Sequence, residues 1–179
     1  MNFELPILGT TEYDEDRGLV VTMPSGRQYT SSVSGVQATI TLPNGQQFTE
    51  MTADQGFGRV FINQDETIVA AVLSGSTQSG DLYLYAAGAD GQFRQIPDAH
   101  EQIRSALQKA GAPLHPDVLR LVTVDERRLT LFSLIYEDKS IGTEGWLFTV
   151  EVTTDGQVAL VGHNSKDRAR DATTSGRAP

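Results

Sequence analysis

Apolar and polar residues alternate with a period of two in stretches such as Val36 to Leu42, and between Pro97 and Gly111 the period lengthens to three and four. There Ala99, Ile103, Ala106, Leu107 and Ala110 form one stripe, while His100, Glu101, Gln102, Arg104, Ser105, Gln108 and Lys109 occupy the rest of the surface. This spacing predicts an amphipathic helix over 98–110 with one face laid on a sheet. Asp98, with Glu101 three residues on, reads as a capping box in which Asp replaces the usual Ser or Thr. Gly111 offers the left-handed position beyond the last turn, and Pro113 prevents re-entry into helix.

The remaining chain reads as strands and turns. Thr22-Met23-Pro24-Ser25-Gly26-Arg27-Gln28-Tyr29-Thr30 is matched nineteen residues later by Thr41-Leu42-Pro43-Asn44-Gly45-Gln46-Gln47-Phe48-Thr49. Each copy predicts a hairpin, because Pro presets φ near −65° and Gly supplies the positive φ that a side chain resists. Two such hairpins side by side make a meander. Before them, Phe3 to Leu8 is a short apolar segment and Glu12, Asp14, Glu15 and Asp16 read as a solvated turn without the spacing of an EF-hand. Thr67 to Leu73 is apolar on both parities, which predicts a central strand covered on both faces.

A second regularity spans the helix. Asp65, Leu82-Tyr83-Leu84 and Asp90-Gly91-Gln92-Phe93 on one side find counterparts in Asp125, Trp146-Leu147-Phe148 and Asp155-Gly156-Gln157-Val158 on the other. The fold predicted is therefore α+β, a predominantly antiparallel β-sheet meander with one amphipathic helix on a sheet face. Such units resemble the blades of β-propellers, so an incomplete propeller-like all-β arrangement is the alternative. Blades run about 40 to 50 residues and roughly four are needed for a ring, and at most three are present here. Residues 1–163 read as one β-rich domain with sub-units 19–96 and 117–161 around the helix, and 164–179 as a disordered tail too poor in apolar residues to offset ordering.

Charge adds a constraint. The formal net charge is −9; residues 164–179 hold four basic and two acidic residues, so subtracting their +2 leaves −11 on residues 1–163. An acidic body argues against nucleic-acid binding; its charge either maintains solubility or faces a basic protein partner. The chain has no cysteine, which removes disulfides, thiolate metal sites and cysteine nucleophiles. No basic run followed by an apolar core opens the chain and no window suits a membrane span, so a cytoplasmic location is expected, with a processed exported form compatible.

Catalytic motifs give little. Ser74, Ser76 and Ser79 lack the Gly-x-Ser-x-Gly elbow. His100 and His115, with Asp98 or Asp117, carry no metal-binding spacing. The acids Glu126, Glu137, Asp138, Glu144 and Glu151 leave a glycan or ester hydrolase as one alternative and self-association through open sheet edges as another. The leading expectation is a non-catalytic acidic protein-binding domain, an inhibitor or neutralising partner of a basic protein, without cofactor or metal. Its candidate contacts are Ser76, Gln78, Asp81, Tyr83, Tyr85, Glu137, Asp138, Glu144 and Trp146, on or beside the polar loops 74–80 and 137–145.

Overall fold

A computed structural model describes residues 8–51, 57–73, 81–111, 119–134 and 145–163. The segments 74–80, 137–144 and 164–179, and with them His115 and Asp117, lie outside the described residues. The described elements are β1 (Thr10–Asp14), β2 (Gly18–Thr22), β3 (Gln28–Ser34), β4 (Gln37–Thr41), β5 (Gln47–Met51), β6 (Phe57–Ile62), β7 (Ile68–Leu73), β8 (Leu82–Ala87), β9 (Phe93–Gln95), α1 (Ala99–Lys109), β10 (Leu119–Asp125), β11 (Arg128–Leu134), β12 (Gly145–Val152) and β13 (Val158–His163). The strands pair antiparallel in chain order as three sheets, β1 to β5, β6 to β9 and β10 to β13. The predicted meander with a helix on a sheet face is thus the architecture, divided into three separate sheets that form no closed barrel or propeller.

Turn chemistry explains the hairpins. In both copies of the repeat the second residue's amide donates to the sixth residue's carbonyl at 2.9 Å, Met23 to Arg27 and Leu42 to Gln46. Gly26 and Gly45 hold the left-handed position with φ of 84° and 86°, as three-residue hairpin loops require. Between β6 and β7 that position falls to Glu66, at φ 56°. Its carboxylate, only 7% exposed, accepts the Tyr29 hydroxyl at 3.1 Å and lies 3.9 Å from the Arg27 guanidinium. Beside it, fully buried Asn63 accepts the Thr67 and Ile68 amides and donates to the Glu126 carbonyl at 2.5 Å. One acidic and one amide side chain therefore tie the middle sheet's turn to both neighbouring sheets.

The middle sheet is covered on both faces, and β7 shows why its sequence is apolar at every position. Val69 and Ala71 join Val21, Tyr29, Ala38, Ile40, Leu42, Val60, Ile62 and Tyr85 in the core shared with the first sheet. Ile68 and Ala70 join Leu82, Leu84, Leu129, Leu131, Phe148, Val150 and Val152 in the core shared with the third sheet and the helix. Every one of these four β7 side chains is fully buried. Among the described residues the other face of the first sheet is mostly polar. In its register Val20, Thr30, Thr41 and Gln47 form one row and Ser32, Thr39 and Thr49 the next. Thr39 and Thr49 share a 2.9 Å hydroxyl bond, and a face of hydroxyls and amides gains little by burial against another sheet.

The helix begins and ends near its predicted bounds, and it buries Ala99, Ile103 and Leu107 against β8 and β13. Its capping box does not form. Asp98 adopts a left-handed conformation, φ 49° and ψ 35°, and its side chain makes no cap bond. Glu101 pairs instead with Arg104 at 3.1 Å, and Gln102 anchors the first turn by donating to the Pro97 carbonyl at 2.7 Å and accepting the Val158 amide at 3.0 Å. Gly111 takes the left-handed position after the helix, φ 81°, as the sequence predicts. A second correction concerns Glu12 to Asp16: it is only partly a turn, because Thr10–Asp14 is a strand paired to β2, after which the Asp14 carboxylate accepts the Asp16 and Arg17 amides. Among the described residues no helix is long and apolar enough to cross a membrane.

Candidate functional site, an acidic cleft at the start of the helix

Strand alternation sends Leu82 and Leu84 of β8 toward the helix and Tyr83 and Tyr85 toward the first sheet. The first pair is buried in the helix-side core, whereas the second pair splits. Tyr85 is fully buried, its ring 4.4 Å from that of Phe48, while Tyr83 remains half-buried at the surface. Beside Tyr83 a cleft of about 390 Å³ opens where β5, the start of β8, the end of β9 and the first turns of α1 meet. Glu50, Asp81, Asp98 and Glu101 line it, with Arg104 as the lining's fixed positive charge and His100 between Asp98 and Glu101.

Contacts across elements hold the walls. Gln95 Nε2 donates to Glu50 Oε1 at 2.7 Å, joining β9 to β5. Close by, Gln46 accepts the Phe93 amide at 2.9 Å and donates to the Phe93 carbonyl at 3.1 Å, so one side chain imitates a strand edge. On the helix side the Leu82 amide donates to His100 Nδ1 at 3.2 Å. Asp98 is free to line the cleft because its backbone conformation leaves its carboxylate uncommitted to a cap.

The electrostatics follow from this geometry. Burial pushes the Tyr83 hydroxyl's pKa above the usual tyrosine value, and the Glu50 and Asp81 carboxylates push it further. Tyr85 rises chiefly by burial, aided by Glu50; among the described residues its hydroxyl has no well-formed hydrogen bond, although the Glu50 charge reaches it. His100 shifts the other way. Burial lowers its pKa below the usual histidine value and Arg104 acts in the same sense, against the opposing pull of Asp81 and Glu101. Four carboxylates against one guanidinium give the lining a formal charge of −3 with His100 neutral. Arg104 spends a nitrogen on Glu101, and its buried Nε has no hydrogen-bond partner among the described residues. Among the described residues no group of three or more His, Asp or Glu side chains is arranged to hold a metal ion.

Of the residues singled out in the sequence, the structure brings Asp81 and Tyr83 together in this cleft. Tyr85 is a correction. Its place on β8 puts it over Phe48 in the core, so its ring offers no surface to a partner. Trp146 belongs to β12 in the third sheet, where its backbone pairs with Ser133. Ser76, Gln78, Glu137, Asp138 and Glu144 lie outside the described residues. The sequence reading missed Glu50 and Gln95, and it took Asp98 and Glu101 for a cap and found no metal-binding spacing around His100. Only the acids at the predicted helix start gave a signal, since Glu50 reaches the cleft through sheet stacking. No protein-family model matches the chain, and no curated protein or solved structure matches it significantly.

Proposed function

We propose that this chain is a non-catalytic recognition module that receives a basic segment of a partner protein in the acidic cleft. The observation that carries the reading is the convergence of Glu50, Asp81, Asp98 and Glu101 on one concavity beside Tyr83. A lysine or arginine entering there exchanges water for carboxylates and an aromatic side chain, a setting that favours cations. The helix dipole supplies partial positive charge at this end, which the same carboxylates more than offset. The net charge of −9 extends the attraction beyond the cleft and speeds encounter with a basic protein.

The test is fluorescence anisotropy with a labelled arginine- and lysine-rich peptide, using the wild-type chain and a Glu50→Gln/Asp81→Asn variant. The double neutralisation is expected to weaken binding by about tenfold, equivalent to about 1.4 kcal/mol. Wild-type binding should also collapse near 1 M salt, where the Debye length is about 3 Å. Equal affinities for the two proteins would remove the cleft from the account.

A further inference from the structure

We propose that His100 is a proton-operated latch on this cleft: neutral, it fastens the start of the helix to β8 and leaves the cleft open to a cationic side chain, and charged, it releases the strand and repels that side chain. The inference rests on the cation-binding reading of the cleft and adds its regulation.

The tautomer follows from the hydrogen bond. A backbone amide can only donate, so Nδ1 must present a lone pair to Leu82 N at 3.2 Å and the ring proton must sit on Nε2. Protonating Nδ1 would set one N–H against another, and the contact would be lost. That contact joins the second residue of α1 to the first residue of β8, immediately after Asp81. It therefore fixes one wall of the cleft to another.

The charged groups around the imidazole come from three elements. Glu101 and Arg104 belong to α1, Asp81 precedes β8, and Glu50 of β5 lines the same cleft with Asp98 and Tyr83. Burial, Arg104 and the positive end of the helix dipole disfavour a charged ring, while Asp81 and Glu101 favour it. Burial prevails, so the ring is neutral at neutral pH and takes up its proton below the ordinary histidine value of 6.5. The lining then passes from −3 to −2, with the new charge beside Asp81 and Glu101, where an incoming cation would bind. By linkage, a bound cation makes His100 harder to protonate by the same factor by which protonation weakens the cation.

Stability should change in the same direction. Because folding lowers the affinity of His100 for a proton, the unfolded chain binds more protons than the folded one between the two pKa values. The stabilising contribution is complete above 6.5 and is lost as pH falls through the lower folded value.

The experiment uses the full chain and has two readouts. Nitrogen-15 NMR of the imidazole is expected to show an unprotonated Nδ1 at neutral pH and a midpoint below 6.5, with the Leu82 amide resonance moving at the same midpoint. Anisotropy with the arginine- and lysine-rich peptide should show affinity falling by roughly fivefold or more between about pH 7.5 and about pH 5. In His100→Asn, whose side-chain oxygen keeps an acceptor but does not titrate, that fall should flatten. A protonated Nδ1 at neutral pH, a Leu82 amide indifferent to the titration, or a pH dependence unchanged in His100→Asn overturns the latch. Peptide that binds at every pH with one affinity overturns the latch and leaves the cleft standing, whereas peptide that binds at no pH overturns both.

Discussion

The two faces of the middle sheet are covered in different ways. Toward the first sheet, β-strand meets β-strand: Val69, Ala71 and Tyr85 pack among Tyr29, Ile40 and Leu42, and the margins are fastened by Gln46 on Phe93 and Tyr29 on Glu66. Toward the third sheet the core also admits a helix, whose Ala99, Ile103 and Leu107 join Leu84, Phe148 and Val150. A sheet on a sheet makes a continuous contact, but a helix end brings a loop, a first turn and a set of short polar side chains to the surface. The acidic cleft opens at the corner where these two interfaces meet. Rigid sheets thus hold in place a lining that comes partly from irregular backbone, a common arrangement for recognition surfaces.

The largest expected effect breaks the helix side of this comparison. Leu107 is fully buried, so Leu107→Ala should cost about 2–5 kcal/mol in denaturant unfolding, the range for truncating a buried leucine. A change within about 0.5 kcal/mol, as at exposed sites, would mean that the helix does not contribute to the core as described. A smaller effect is expected on the sheet-to-sheet side. Gly45 sits at φ 86° in the turn that carries Gln46 onto Phe93, and nothing lies within 4 Å of a Cβ built there. Gly45→Ala should therefore cost about 1–2 kcal/mol from backbone conformation alone. An unchanged thermal melt would show that the turn relaxes into another form without loss.

Much of the fold was legible because local chemistry determined it. The stripe of Ala99, Ile103 and Leu107 marks the helix, the unbroken run at Ile68–Leu73 marks a strand buried on both faces, and Pro-Ser-Gly and Pro-Asn-Gly mark two hairpins. What stayed hidden depends on contacts distant in sequence. Thr10–Asp14 is exposed at four of five positions, so neither hydrophobic alternation nor burial announced it, and only pairing with β2 makes it a strand. The spacing of Asp98 and Glu101 satisfies the capping-box pattern, yet Arg104 takes the Glu101 carboxylate and the left-handed Asp98 makes no cap bond. The division into three sheets depends on how the meanders stack, and hydrophobic period carries no record of that. The cleft is the extreme case. Glu50, Asp81 and Arg104 lie in three different elements or their flanks, and in an acidic chain nothing local separates these charges from the rest.

The measurement that tests the central claim most directly is a two-dimensional amide NMR titration of the whole chain with the arginine- and lysine-rich peptide. Binding in the acidic cleft predicts that the largest shift changes cluster at Glu50, Asp81 to Tyr83 and Gln95 to Arg104, while the hydroxyl face formed by Thr30, Thr39, Thr41 and Thr49 stays still. Shifts centred on that hydroxyl face, or spread thinly over the acidic surface with no focus at the start of the helix, would contradict it.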